Sequence, residues 1–303
     1  MSKFTRILVD LDAVAAVHPA VDRAIELGRH CGARVKMVDT VSVPPSARGY
    51  LPAAAEEVVY ATRRANLAKL AGAVKGVPVD VEVLTGRPAE AIIAEVVAGG
   101  HDLVIRSHAR DLAAGPRSLG AIDMQLFRSC PCTVWAVGPG ARSAPRAVVA
   151  AVHSNPGEPE EQKLNARIIE TARLMAAAGQ GHPVIFEAWH AFAEDMLRSH
   201  YAPDEMAAYV QAAGDSAKAE LDALVAAVPG GPADESVELR KGNPEEVLPE
   251  LVVSEGIDLV VLGTVARTGV AGLIMGNTAE RLLQRLPCSV MAVKPDGFRA
   301  PGA

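Results

Sequence analysis

Aromatic residues make up only 4% of this 303-residue chain, too few for the stacking platforms on which single-stranded nucleic acids are held. Positive charge is also short. Thirty Lys and Arg face 36 Asp and Glu, a net charge of −6, which argues against a nucleic-acid surface. No apolar run approaches the roughly 18 residues of a membrane span. The opening MSKFTRILVDLDAV lacks a long apolar stretch followed by a small-residue cleavage signal, so a soluble cytoplasmic protein is expected. Four cysteines are too few for a disulfide framework. Cys130-Pro-Cys132 has neither the C-x-x-C spacing of common redox and zinc motifs nor an accompanying histidine cluster. Cys132 and Cys288 open apolar runs, where cysteine acts as a small buried hydrophobe. The expectation is four free thiols and no metal site. Catalytic signatures are missing too. No G-x-S-x-G elbow is present, no Walker lysine follows the one glycine-rich loop, and no metal-ligand spacing occurs. Ser154, His153 and the acidic GEPEEQ stretch are close in sequence, but those carboxylates suit the first turn of a helix. A non-enzymatic protein is expected, any ATP hydrolysis being slow and incidental.

What the chain does have is an internal repeat. The stretch VEVLTGRPAEAIIAEVVAGGHDLVI (81–105) lies 156 positions before VELRKGNPEEVLPELVVSEGIDLVV (237–261). The same offset aligns CPCTVWAV (130–137) with LPCSVMAV (286–293). Compared without gaps, 81–137 and 237–293 share 18 identities in 57 positions, where ordinary composition gives roughly four by chance. The chain is thus two copies of one unit, at 1–140 and 145–296, joined near GPGARSAP, whose Gly and Pro suit a linker.

Each copy alternates β-branched apolar runs with helical periodicity. In the first these runs are RILVDL, RVKMVDTV, VDVEVL, DLVIRS and TVWAV, with helical stretches between them. Pro88 opens the third helix at its first turn and glycine closes it. The second copy has matching strands near 146–152, 183–189, 236–240, 258–263 and 289–294. Such alternation predicts an α/β fold, a parallel sheet with helices on both faces in each domain. Ligands of such sheets sit at the carboxyl ends of the strands, where the strand order switches. The loop GTVARTGVAGLIMGNTAE leaves such an end.

The tandem units, the GxPxExI opening of the third helix and the DLVVLGT…GNTAE loop together resemble tandem universal stress proteins, with the E-type subfamily most similar. The resemblance is strong over 236–296, clear over 81–137 and faint around 190–205. It implies two five-stranded parallel sheets that pair through their fifth strands; a homodimer of whole chains is left open by the sequence. It also implies a cytoplasmic role in stress survival without a well-defined chemical reaction, while composition leads to the expectation of neither a nucleic-acid nor a membrane partner. Some members bind ATP through Gly-x2-Gly-x9-Gly-[Ser/Thr/Asn], which makes ATP or AMP the cofactor to expect in the C-terminal domain.

In that pattern Gly263 takes the first place, Ala266 replaces the second glycine, and Gly276-Asn277 close it. Gly276 would admit a phosphate close to the backbone, and Asn277 would cap the next helix with Glu280 as capping-box partner. The free amides beyond it favour an anion, Thr264 and Thr278 add hydroxyls, and Arg267 adds a charge. The methyl group of Ala266 costs on the order of 1 kcal/mol if that position needs positive φ or close phosphate approach. Family members that bind nucleotide also carry an Asp after the first strand, near adenine and ribose. Asp12 stands there in the first copy, with Asp10 as alternative, and His153 in the second. The first copy's loop keeps Gly120 but has Ser107, Arg110 and Ala121 at the other places, with Met124 read as the third helical position, so both capping partners are read as lost. An unliganded reading stays open, because Gly-rich turns and Asn-x-x-Glu caps also occur where no phosphate binds. The segment WHAFAEDMLRSHYAPDEMAAYV (189–210) gathers Trp189, Phe192 and Tyr201, either lining an apolar pocket or covering the core as a helix and turn.

Overall fold

The computed structural model describes residues 4–47, 49–52, 54–107, 119–138, 144–264 and 275–298. The first unit runs β1 (Arg6–Asp10), α1 (Pro19–Cys31), β2 (Arg34–Val41), α2 (Ala55–Ala73), β3 (Val79–Thr85), α3 (Pro88–Gly99), β4 (Leu103–Ser107), α4 (Ala121–Ser129) and β5 (Thr133–Val137). The second runs β6 (Ala147–Ala151), α5 (Pro159–Ala178), β7 (His182–Trp189), the short α6 (Glu194–Leu197), α7 (Pro203–Ala227), β8 (Ser236–Lys241), α8 (Pro244–Ser254), β9 (Leu259–Gly263), α9 (Asn277–Arg285) and β10 (Ser289–Val293).

Proline stands in the first turn of α1, α3, α5, α7 and α8, where the amide it lacks would have had no partner and its fixed φ suits a helix. Gly32 and Gly100 end α1 and α3 in the left-handed region, at φ 71° and 61°, which a Cβ would penalise. Among the described residues, no helix is long and apolar enough to cross a membrane.

The ten strands among the described residues join one sheet in the order β3-β2-β1-β4-β5-β10-β9-β6-β7-β8. Each unit contributes five parallel strands, and the sole antiparallel junction among the described residues is β5 with β10, where Trp135 faces Met291. Pairing two edge strands satisfies backbone groups that would otherwise invite association. Because the middle of the sheet is covered on both faces, its central strands are apolar at successive positions, while the edge strands β3 and β8 carry exposed polar residues. Ile7 and Val9, with Trp135 and Met291, point into one core beneath α1, α2, α5 and α7. Leu8, Val104, Val260 and Val290 point into the other, beneath α3, α4, α8 and α9. Both cores run unbroken across the seam between the units. In each unit the strand order reverses beside its first strand, between β1 and β4 and between β6 and β9.

Candidate functional site

At the second switch point, β9 ends at Gly263 and α9 begins at Asn277. The amide of Gly276 donates to the Thr264 carbonyl at 3.1 Å, closing the base of the connection between them. Ala266 and Arg267 lie outside the described residues. The cap of α9 is Gly276, at φ −68° and ψ 141°, which moves Asn277 from the expected cap into the first helical position. Among the described residues, no side chain caps this end. Glu280 is therefore one position too far along for a capping box, and it pairs with Arg128 of the first unit. Asn277 and Thr278 are exposed, and the first amides of α9 have no intrahelical acceptor. They and the helix dipole present a partial positive charge to the crevice.

Two expected site residues are occupied otherwise. The Thr264 hydroxyl is buried, donating to the Phe127 carbonyl at 3.3 Å while accepting from Lys294 Nζ at 2.7 Å. It faces the seam instead of a phosphate. Gly263 is a glycine for packing, because a Cβ there would come within 2.9 Å of the Leu164 side chain on α5.

Across the crevice, Asp12 and His153 hold equivalent places after β1 and β6. Behind each stands a carboxylate that sequence reading missed. Asp39 on β2 accepts the amide of Ala13 at 2.8 Å, and Glu187 on β7 accepts that of Ser154 at 2.8 Å. Each is buried at the end of the second strand of its unit, and each fixes the turn that carries Asp12 or His153. In the first unit, Arg63 reaches from α2 to bond Asp39 at 2.6 Å and Asp12 at 3.0 Å. Asp12 is thus half of an internal ion pair. In the second unit, His153 Nδ1 lies 3.2 Å from Glu187, and the Ser154 hydroxyl donates to the same carboxylate at 2.6 Å. Ser154 and His153 therefore share Glu187 instead of forming a nucleophile and base.

At the first unit's switch point a carboxylate of the chain itself stands at the start of α4. Gly120 caps α4, so Asp123 is the third helical residue, and its Oδ2 accepts the Gly120 amide at 2.8 Å. The reading that placed Met124 third and left the helix uncapped was one residue out of step. Asp123 is 1% exposed and pairs with Arg106 at 3.0 Å, while Arg106 Nε lies 3.3 Å from Asp10. Burial, opposed by Arg106 and reinforced by the neighbouring carboxylates, raises the Asp10 carboxyl to about 6. The aligned residues of the second unit are Ala151, Leu262 and Ala279. One repeat carries an Asp–Arg–Asp cluster where the other is apolar.

The 189–210 segment forms the end of β7, α6 and the start of α7. It does fold as turn and helix, but Phe192 and Met196 are 83% and 73% exposed and cover no core. Trp189 packs on α7, where a Cβ at Gly214 would come within 2.9 Å of its ring.

Two parallel five-stranded units with a strand-to-helix loop at each switch point define a tandem, doubly wound α/β protein. The chain belongs to the universal stress protein family, whose profile matches residues 3–138 and 159–294. It is 28% identical to universal stress protein E of Escherichia coli K12 over 314 aligned positions, covering 99% of this chain and 97% of the relative. The corresponding protein of Salmonella typhi is 29% identical, with 99% and 98% covered. Among solved structures, a functionally unknown protein from Pseudomonas aeruginosa PAO1 shares the fold at TM-score 0.70 and 22% identity, over 97% of this chain and 93% of its own. A universal stress protein from Archaeoglobus fulgidus does so at TM-score 0.63 and 13% identity, over 95% and 98%.

Proposed function

We propose that the chain is a non-enzymatic, cytoplasmic stress-response regulator whose second domain takes ATP or AMP weakly at the N-terminus of α9. The observation that carries this reading is the contrast between Asp123 and Ala279. In the first domain an internal carboxylate already occupies the helix N-terminus, and an incoming phosphate would meet like charge. In the second the equivalent residue has no charge, and Asn277 and Thr278 stand open. Affinity is reduced because Ala266 and His153 replace two residues on which nucleotide-binding family members depend. Losing two interactions of about 1–1.5 kcal/mol each weakens a micromolar site about 30- to 150-fold. Binding then lies at tens to hundreds of micromolar, within reach of millimolar nucleotide.

Calorimetry at millimolar ATP tests this. Gly276→Val should abolish the heat, Ala266→Gly should strengthen it, and changes at Gly120 should leave it unaltered. Ala279→Asp copies the first domain's carboxylate into the second and should remove binding without unfolding the protein. Absence of heat from both the native chain and Ala266→Gly would make the loop a helix cap only. An interaction-only protein would then take its place, a reading that the exposed Phe192, Met196 and Tyr201 favour.

A further inference from the structure

At the seam between the units, the amino end of β5 lies beside the carboxyl ends of β9 and β10, because β5 and β10 run antiparallel. Cys130-Pro-Cys132 occupies that end. Cys130 ends α4 with ψ 129°, and the chain then bends at Pro131 and Cys132 before β5 begins. Pro131 stiffens the link. The two sulfurs are 3.6 Å apart. Cys130 is buried, and Cys132 is half-buried and so the one that solvent reaches. From the second unit, Lys294 turns into the same place. It is 2% exposed, bonds the Phe127 carbonyl and the Thr264 hydroxyl, and lies 4.8 Å from the Phe298 ring. No carboxylate pairs with it among its described partners.

We propose that Cys130 and Cys132 form an oxidisable dithiol that closes to a disulfide under peroxide, with the buried Lys294 ammonium stabilising the thiolate that starts the reaction. The first proton leaves the pair readily, since the remaining thiol donates to the thiolate and Lys294 adds positive charge; the second is held more tightly. Exchange of that proton places the charge on either sulfur. The Cys132 thiolate attacks one oxygen of hydrogen peroxide, the O–O bond breaks, and hydroxide leaves and is protonated to water. The Cys130 sulfur then attacks the Cys132 sulfenic sulfur, the S–O bond breaks, and a second water carries off the Cys130 proton. Two thiols and one peroxide give one disulfide and two waters. Sequence spacing alone argued against a redox pair. The bend at Pro131 and Cys132, with the two sulfurs 3.6 Å apart, and the lysine from the other repeat are what reverse that argument. Cys288, the repeat counterpart of Cys132, has Leu286 where Cys130 stands in the first unit, and burial pushes its thiol up to about 12. It provides an internal control.

The test is intact and peptide mass spectrometry of the full chain after graded hydrogen peroxide, with remaining thiols alkylated under denaturing conditions. The expected product has lost two hydrogens, has two of its four thiols protected, links Cys130 to Cys132, and is restored by dithiothreitol. Cys132→Ser should accumulate a sulfenic acid or stay reduced, without a disulfide. Lys294→Met should slow the reaction roughly tenfold at pH 7, the effect of about one pH unit in thiolate availability. That gap should narrow above pH 8, because burial lowers the ammonium itself to about 8. If Lys294→Met does not fold, the native protein's own pH profile decides the matter: its rate should level off below the ordinary thiol range near about 8.5. Four thiols surviving peroxide, a bridge to Cys31 or Cys288, or a rate that tracks an ordinary thiol would each overturn the proposal.

Discussion

Replacing Asp10 by asparagine asks what the buried Asp–Arg–Asp cluster costs the first unit. Asp10 ends β1 with its side chain 11% exposed, and its carboxyl stands at about 6 against an ordinary 3.8. Burial is the leading cause. Arg106 opposes it, while Asp39, Asp123 and Asp12 add to it. Between pH 3.8 and 6 the folded chain holds a proton that the unfolded chain has lost. Stability from this group is therefore full below 3.8 and falls as pH rises towards 6, after which the whole cost is present. At 1.36 kcal/mol per pH unit, that cost at pH 7 is roughly 3 kcal/mol. Asparagine keeps the shape and cannot ionise, and Arg106 keeps Asp123. Asp10→Asn should therefore be about 1–3 kcal/mol more stable than the native chain at pH 7, with the gain shrinking towards zero near pH 4. Urea unfolding at pH 4, 5, 6 and 7 measures the difference. A variant less stable at pH 7, or a difference that does not change with pH, would show that the attraction of Arg106 outweighs burial.

Arg63→Ala leaves Asp39 buried with its charge unpaired and should lower stability by about 3 kcal/mol, much of it recovered in the double variant with Asp39→Asn; urea midpoints of the two variants measure this. Gly181→Ala would place a Cβ 1.8 Å from the Arg146 carbonyl oxygen, so the turn must shift. A loss of about 3 kcal/mol or more is expected, and a melting temperature near that of the native chain would contradict the packing.

The two-unit plan was written in the sequence, because a repeat of 18 identities in 57 positions needs no coordinates. The parallel sheets were legible for a physical reason: strands buried on both faces must be apolar at nearly every position, as RILVD and LVVLG are. The helix starts were legible where proline marks the first turn. They were read one residue late at Asn277 and Ala121, because a cap is defined by backbone angles that glycine at 276 and 120 adopts without a polar side chain to announce it. The residues of the β9–α9 connection could be named, but their duties could not. Gly263 is small for the sake of Leu164, and Thr264 faces the other unit, since both answer to neighbours about 100 or more positions away in the chain. Asp39 and Glu187 look like ordinary strand residues until the sheet brings them behind Asp12 and His153. Tertiary structure alone decided which helix start carries an internal carboxylate pair, because Arg106 on β4 and Asp123 on α4 meet only when α4 packs against the neighbouring β5. It alone decided what the Cys-Pro-Cys stretch faces, because Lys294 reaches it only through the antiparallel pairing of β5 with β10.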